Sequence, residues 1–94
     1  MEYEFTKQFA RDLKTYTDDK NFLHTIGKRL NETIKASSVN EIHGLADIRG
    51  TTAHYRFKIK TNKAVYRVGL KLLKKVIWFA CIDNNKKRFY KRFP

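Results

Sequence analysis

Residues 54–82 read HYRFKIKTNKAVYRVGLKLLKKVIWFACI, and this stretch decides the fold. Apolar and basic residues alternate over positions 55–60. Because side chains of a strand point to opposite faces with a period of two, the alternation predicts a strand with one apolar and one basic face. The final run is apolar throughout, which is typical of a central strand buried on both faces. Three strands joined by hairpin turns are predicted: His54–Lys60, Ala64–Leu72 and Lys75–Ile82.

The residues before this stretch predict a short strand and two helices. Residues 3–5 suit the strand, and the turn-rich residues 36–50 suit a connector. A first helix, capped by Thr6, carries apolar residues at spacings of four and three: Phe9, Leu13 and Tyr16. A second helix, capped by Asp18 or Asp19, carries apolar residues every four positions: Phe22, Ile26, Leu30 and Ile34.

This order of elements predicts one α+β domain spanning residues 1–94. In it, an N-terminal helical hairpin packs on a small antiparallel β-sheet. The N-terminus lacks the basic start and long apolar stretch of a signal peptide. No apolar run approaches the ~20 residues of a membrane span. We therefore expect a cytoplasmic protein that has no membrane partner.

The positive charge is concentrated in the C-terminal half of the chain. The sequence holds 21 Lys and Arg against 9 Asp and Glu, a net charge of +12. Residues 1–47 carry 7 basic and 8 acidic side chains, whereas residues 48–94 carry 14 basic side chains and a single acidic one, Asp83. This asymmetry indicates a polyanionic partner, either a nucleic acid or an acidic protein.

Metal and thiol chemistry are not indicated by the sequence. Metal-dependent nucleases need clustered carboxylates, and the basic half offers only one. The histidines, His24, His43 and His54, do not have the spacing of a ligand cluster. The one cysteine, Cys81, lies in an apolar strand and is expected to be a buried, protonated core residue. We predict neither a metal nor a cofactor.

Arg, Lys and Tyr remain, and such residues either bind RNA or cleave it. RNA carries its own nucleophile, the 2′-hydroxyl, so cleavage needs proton transfer and stabilisation of negative charge on phosphorus. A Lys or Tyr among cations has a lowered pKa. Read as a strand, the tail has four residues on one side: Lys86, Arg88, Tyr90 and Arg92. Three cations of the preceding strands can face them: Arg56, Lys58 and Arg67. Spacing leaves open whether this groove reacts with RNA or only holds phosphates.

The sequence also resembles a known family. The segments HYRFKI (54–59) and NKAVYRVGLKLLKKVIWFACIDNNKKRFYKRFP (62–94) are similar to the C-terminal half of the RelE/ParE superfamily of bacterial toxin–antitoxin toxins. FTKQFARDLKTYTDDKNF (5–22) agrees with its upstream part. The resemblance implies a helical hairpin on a curved antiparallel sheet. For the RelE-like branch it implies a metal-independent endonuclease that cuts mRNA in the A site of the 70S ribosome, with a cognate antitoxin as partner.

The resemblance assigns roles to individual positions. Arg56 and Lys58 match two basic residues that contact and activate the substrate. Arg67 matches the arginine that stabilises the phosphate in the transition state. Tyr90 matches a tyrosine that stacks on a base or transfers a proton, and Lys86 matches the basic residue four positions before it. Five further cations are predicted to bind RNA: Lys60, Lys63, Arg88, Lys91 and Arg92.

The chain departs from the family pattern at one place. Many relatives carry His-Arg where this chain carries Asn85-Lys86. Because a neutral amide cannot act as a general acid or base, Lys86 is the first substitute and His54 the second. Two alternatives to the nuclease stay open. One is a ParE-like inhibitor of DNA gyrase that cleaves nothing, and the other is a catalytically degenerate member that only binds RNA or an antitoxin.

Overall fold

The chain folds into three α-helices and one five-stranded sheet. The structure is a computed structural model that describes all residues from Met1 to Pro94. The strands are β1 (Glu2–Phe5), β2 (Ala46–Asp47), β3 (His54–Lys60), β4 (Val65–Leu73) and β5 (Val76–Asp83). The helices are α1 (Lys7–Thr15), α2 (Lys20–Lys35) and α3 (Lys86–Arg92), with a 3-10 turn at Val39–Glu41. None of the helices is long and apolar enough to cross a membrane.

The α+β class is confirmed, but the sheet is mixed and not antiparallel as predicted. Its strand order is β1-β5-β4-β3-β2. β1 pairs in parallel with β5, from Glu2 opposite Val76 to Phe5 opposite Phe79, and the other pairs are antiparallel. No hairpin joins β1 to its neighbour, so turn geometry does not force an antiparallel pairing. The chain begins with this strand, and an N-terminal helical hairpin is not confirmed: α1 lies against β5 and α2 against β3.

One face of the sheet is covered by α1 and α2. The helices begin at predicted caps, because the Thr6 hydroxyl accepts the Phe9 N–H at 3.0 Å and the Asp19 carboxylate accepts the Phe22 N–H at 3.1 Å. The core between helices and sheet contains eleven buried residues: Phe9, Phe22, Ile26, Phe57, Ile59, Tyr66, Val68, Leu70, Ile77, Phe79 and Ile82.

β5 is a central strand, as its apolar sequence predicts. Its side chains that face the helices, Ile77 and Phe79, are fully buried. On the other face Trp78 and Ala80 are only half-buried, whereas Cys81 is buried. The prediction of burial on both faces therefore holds only at the carboxyl end of β5, because α3 packs over that end alone.

The turn between β4 and β5 is strained. Lys74 and Lys75 have φ angles of +51° and +66°, and Leu73 pairs with Val76 across them. A two-residue hairpin loop with both residues in the left-handed region favours Asn-Gly. We expect the double variant Lys74→Asn/Lys75→Gly to raise the free energy of unfolding by about 1–2 kcal/mol, measured by urea denaturation. Lys74→Gln/Lys75→Gln removes the charges without relieving the backbone and should give no gain; an equal gain would assign the effect to charge.

Candidate functional site

The open face of the sheet, opposite α1 and α2, carries the basic side chains of β3 and β4. Arg56, Lys58 and Lys60 alternate with core residues along β3, as predicted. Arg67 of β4 lies directly opposite Lys58 in the register of the two strands. Since residues that face each other across an antiparallel pair lie on the same side of the sheet, the cations of both strands share this face.

Part of this face forms an open groove of about 710 Å³. Two amides, Asn84 and Asn85, also lie along it. Six cationic residues contribute to its lining: Lys58, Lys60, Lys63, Arg67, Lys86 and Arg88. Such a concentration of positive charge attracts a ligand with regularly spaced negative charges, as a nucleic-acid strand has.

The C-terminal segment is the helix α3 and not the predicted strand. Asn85 is its N-cap, with a side-chain oxygen that accepts the Arg88 N–H at 2.9 Å. In a helix, residues four positions apart share a face, so Tyr90 lies on the side of Lys86, while Arg88 lies with Arg92. The strand prediction failed because this short run of basic and aromatic residues fits both a period of 2 and spacings of four.

Tyr90 reaches β3 through a direct contact. The Arg56 Nε donates to the Tyr90 hydroxyl at 3.1 Å, across 34 residues of sequence. The ring is 41% exposed. Burial raises the pKa of Tyr90, but hydrogen bonding and positive charge from Arg56 and Arg67 outweigh it and hold the pKa below its usual value. The two arginines thus favour the phenolate form.

Lys58 is an exposed lysine whose ammonium group is destabilised by its neighbours. The positive charge of Arg56, followed by that of Arg67, lowers the pKa of Lys58. This agrees with the expectation for a lysine among cations. A lysine of this kind is a better proton acceptor near neutrality than an isolated one.

Arg67 is the buried cation of the groove. The residue is 8% exposed, and its buried Nε has no hydrogen-bond partner within the protein. A buried donor that is not satisfied is costly, and hydrogen bonds from charged donors are among the stronger ones. An oxyanion in the groove is a suitable partner for this guanidinium. Arg67 is therefore a candidate for anion binding in the groove, and its predicted contact with phosphate stays a prediction.

Two of the predicted RNA-binding residues are engaged by carboxylates. Arg88 donates to both oxygens of Asp83, with a shortest distance of 2.7 Å. Arg92 donates to Asp83 at 2.7 Å and to Asp12 at 2.8 Å. Arg88 still lines the groove, whereas Arg92 and Lys91 do not. Their predicted contact with RNA stays a prediction.

Sequence reasoning missed what these carboxylates do. Asp83 is fully buried. It is the only acidic residue of the basic half, and this isolation is the one feature of the sequence that could have indicated a structural role. Asp12 accepts the Ile82 N–H at 2.8 Å on the edge of β5 beyond the end of β1. No sequence pattern relates Asp12 to Arg92, which lies 80 positions later.

The position where relatives carry histidine has a structural role in this chain. Asn85 caps α3, and its own N–H donates to Asp83 at 2.9 Å. His54 does not line the groove. Its ring packs edge-on against Phe93 at a centroid distance of 5.4 Å, and its Nδ1 contacts the Thr52 carbonyl at 2.8 Å. Lys86 is therefore the substitute nearer to the groove.

Cys81 is a buried core residue, as predicted. It is a free cysteine, and burial raises its pKa to about 12, so the thiol stays protonated and unreactive at neutral pH. No three His, Cys, Asp or Glu side chains are grouped so as to hold a metal ion. The side chains that the face presents are mainly Arg and Lys, with Tyr90 in contact with Arg56.

Phe89 and Phe93 anchor α3 on the open face. They form a second small core with Ile48 and Cys81. Gly69 of β4 permits this packing, because a Cβ there would lie 2.8 Å from a ring carbon of Phe93. The absence of a side chain at this position of β4 lets the last aromatic residue rest directly on the sheet.

We expect Gly69→Ala to lower the free energy of unfolding by about 1–3 kcal/mol, because the added methyl group must displace the Phe93 ring. Gly27→Ala is the matched control. Nothing lies within 4 Å of a Cβ at Gly27, in the middle of α2, so this change should stabilise the protein by about 0.5–1 kcal/mol. Urea denaturation measures both. A Gly69→Ala variant as stable as the wild type would contradict the close packing of Phe93.

The buried carboxylates predict a loss of stability in acid. Burial raises the pKa of Asp83, but the hydrogen bonds from Arg88, the Asn85 N–H and Arg92 outweigh it and hold the pKa below its usual value. Hydrogen bonding, first from Tyr66, also lowers the pKa of Asp19. A carboxyl with a lowered folded-state pKa stabilises the fold above its unfolded pKa and ceases to do so as the pH falls through the folded pKa. We expect the free energy of unfolding to fall below about pH 4. A flat profile between neutrality and strong acid would contradict this.

Comparison with solved structures shows the same fold in three proteins. A chain of the RelB-RelE antitoxin-toxin complex from Methanococcus jannaschii has a TM-score of 0.70 and 26% identity, covering 96% of this chain and 98% of that chain. A chain of the intact E. coli RelBE toxin-antitoxin complex has a TM-score of 0.64 and 14% identity, covering 89% and 95%. YafQ from E. coli strain BL21(DE3) has a TM-score of 0.63 and 15% identity, covering 94% and 97%. No family model and no curated protein sequence matches the chain.

The three matches show that this chain has the RelE-type fold over nearly its whole length. This similarity confirms the RelE-like resemblance that the sequence indicated. The comparisons do not favour the gyrase inhibitor or the degenerate member.

Proposed function

We propose that this protein is the toxin of a toxin–antitoxin module and acts as a ribosome-dependent, metal-independent mRNA endonuclease that inhibits translation. The observation that carries the proposal is the contact between Arg56 and Tyr90 on the face that also holds Lys58 and Arg67. Two arginines, a lysine and a phenol on one basic face are the groups that cleavage by the RNA 2′-hydroxyl needs.

In the proposed reaction the 2′-oxygen attacks the adjacent phosphorus and the 5′-oxygen leaves. The products are a 2′,3′-cyclic phosphate and a 5′-hydroxyl. Arg67 and Arg56 stabilise the negative charge that develops on the phosphate oxygens, and the buried guanidinium of Arg67 does so without reorganisation. Removing one such donor in an enzyme typically slows the reaction by about 10²–10³-fold.

Proton transfer in this proposal falls to Tyr90, Lys58 and Lys86. The lowered pKa values of Tyr90 and Lys58 favour their role as acceptors of the 2′-hydroxyl proton. Lys86 lines the groove one turn before Tyr90 on α3 and is suited to protonate the leaving 5′-oxygen. The pH dependence of cleavage by Tyr90→Phe and Lys58→Met would assign the base.

We further propose that the partners are mRNA in the ribosomal A site, the 70S ribosome and a cognate antitoxin, and that the protein works in the cytoplasm. Two of the similar structures are complexes of an antitoxin with a toxin. The predicted RNA-binding residues Lys60 and Lys63 extend the lining of the groove beyond Lys58. Their positive charge suits the phosphates that flank the cleaved one.

A cell-free translation reaction with a defined mRNA tests the proposal. Purified protein should produce new 5′ ends that depend on ribosomes, while the same mRNA alone, with EDTA, should stay intact. The cuts should disappear with Tyr90→Phe and persist with Arg11→Ala, which removes an exposed cation from α1 on the opposite face. Normal translation with intact mRNA would overturn the proposal, and a DNA gyrase cleavage assay would then test the alternative.

A further inference from the structure

The short helix α3 has four distinct sides. Its residues pair at a spacing of four, and each pair has its own surroundings. Lys86 lines the groove and Tyr90 contacts Arg56. Phe89 and Phe93 pack on the sheet, and Arg88 and Arg92 bind carboxylates. The remaining pair, Lys87 and Lys91, is exposed.

The carboxylate side joins three elements. The Arg92 guanidinium forks between Asp83 at the end of β5 and Asp12 in α1, with distances of 2.7 Å and 2.8 Å. Asp12 is itself held, because its other oxygen accepts from Gln8 at 2.8 Å and Oδ2 also accepts the Ile82 N–H. Asp12 is 6% exposed and Asp83 fully buried. Charge-assisted bonds to buried, fixed carboxylates are the strongest polar contacts available to a guanidinium.

The aromatic contacts that hold α3 on the sheet are few. Phe89 and Phe93 rest on a core of only two further buried residues. A rotation of the helix by about 20° would move a hydroxyl about 9 Å from its axis by about 3 Å, which breaks a hydrogen bond. The Tyr90 hydroxyl, at the tip of a long side chain, is such a group. The fork of Arg92 between Asp12 and Asp83 lies on a different side of the helix and opposes that rotation, together with the ion pair of Arg88 and Asp83 on the same side.

We propose that Asp12 and Arg92 are positioning residues: the fork of Arg92 between Asp12 and Asp83 fixes the rotation of α3 and holds the Tyr90 hydroxyl against Arg56. Arg92 is bound to Asp12 and Asp83, on a different side of α3 from Tyr90, so its effect on the contact of Tyr90 with Arg56 passes through the helix. The inference rests on the proposed function for its activity readout only, since the position of Tyr90 is observable without any cleavage.

The first test is an NMR titration of protein labelled at the tyrosine Cζ carbons. The chain has five tyrosines, and Tyr90→Phe assigns the signal. In the wild type the phenol of Tyr90 should titrate below its usual range because Arg56 and Arg67 face it. In Arg92→Ala its pKa should move up toward about 10, the ordinary value, as the hydroxyl leaves the arginines. Lys87→Ala, an exposed cation of the same helix, should leave the titration unchanged.

The second test separates rate from binding. Arg92→Ala should lower the single-turnover cleavage rate by about 10–100-fold, as expected for a group misplaced by an ångström or more. Its affinity for a fluorescein-labelled single-stranded RNA should stay within about twofold, since no groove cation is lost. Thermal unfolding checks the fold. If Arg92→Ala does not fold, Asp12→Asn, which keeps an acceptor for Ile82 N–H and loses the charge, takes its place.

A folded Arg92→Ala protein in which the titration of Tyr90 is unchanged would overturn the inference. If the RNA affinity of that protein is also lost, the assignment of Arg92 to RNA binding is restored. If the wild type does not cleave mRNA, the proposed function fails, and the titration alone still decides whether Arg92 positions Tyr90.

Discussion

Replacing Arg67 by alanine is expected to reduce mRNA cleavage by about 100- to 1,000-fold, the range for the loss of one preorganised charge-stabilising donor. Arg67 is the buried cation of the groove, and its Nε is free of protein partners. Its side chain is therefore held in place before substrate arrives, and no other cation of the face shares this burial. Cleavage of a defined mRNA in a cell-free translation reaction, timed by primer extension, provides the measurement.

The controls separate the charge of Arg67 from its geometry. Arg67→Lys keeps the charge but loses the planar fork, so we expect a rate between those of the wild type and Arg67→Ala. Arg11→Ala, an exposed arginine of α1, should cleave like the wild type. An Arg67→Ala protein that unfolds like the wild type and cleaves at the same rate would remove Arg67 from the proposed mechanism.

Replacing Asp19 by alanine is expected to lower the midpoint of thermal unfolding by more than about 10 °C, which for a domain of this size corresponds to the loss of several buried polar contacts. Asp19 accepts three hydrogen bonds, from the Tyr66 hydroxyl at 2.7 Å, the Thr61 hydroxyl at 2.8 Å and the Phe22 N–H at 3.1 Å. Its loss removes the cap of α2 and leaves the buried hydroxyl of Tyr66 without a partner.

The neighbouring carboxylate offers a matched control. Asp18 is exposed, and its side chain accepts no hydrogen bond. Asp18→Ala should therefore shift the midpoint by no more than about 3 °C. Equal effects of the two substitutions would show that the acidic pair acts through net charge and not through the contacts of Asp19 with the β3–β4 turn.

Much of the fold was predictable because the apolar residues of most strands and helices recur with the period of that element. Strict alternation marks β3 with its exact bounds, His54–Lys60, and the spacings of three and four mark α1 and α2. The caps were visible as residue types, although the sequence did not distinguish Asp18 from Asp19. β2, with only two residues, is too short for any period and was missed. The direction of β1 depends on a pairing with β5 more than 70 residues away, which no local pattern reports.

The site was predictable only in part, for the same reason. The common orientation of Arg56 and Lys58 follows from alternation within one strand, and the side of Arg67 from a short hairpin. The tail was read with the wrong period, so Arg88 and Arg92 were grouped with Tyr90 although the helix separates them. The seven residues of α3 fit both the period of a strand and that of a helix. Packing against the sheet selects the helix, and the sequence alone does not show that packing surface.

The sequence by itself determined most of the elements, though not β2 or α3, together with the basic face of β3 and the family resemblance. Each of these depends on neighbours a few positions apart or on residue types in order. Only the tertiary structure decided that Tyr90 meets Arg56 and that Arg92 is held by Asp12 and Asp83. Those contacts join segments that are distant along the chain. They exist because α3 docks over Gly69 and the end of β5, and a docking surface arises only when the strands have paired.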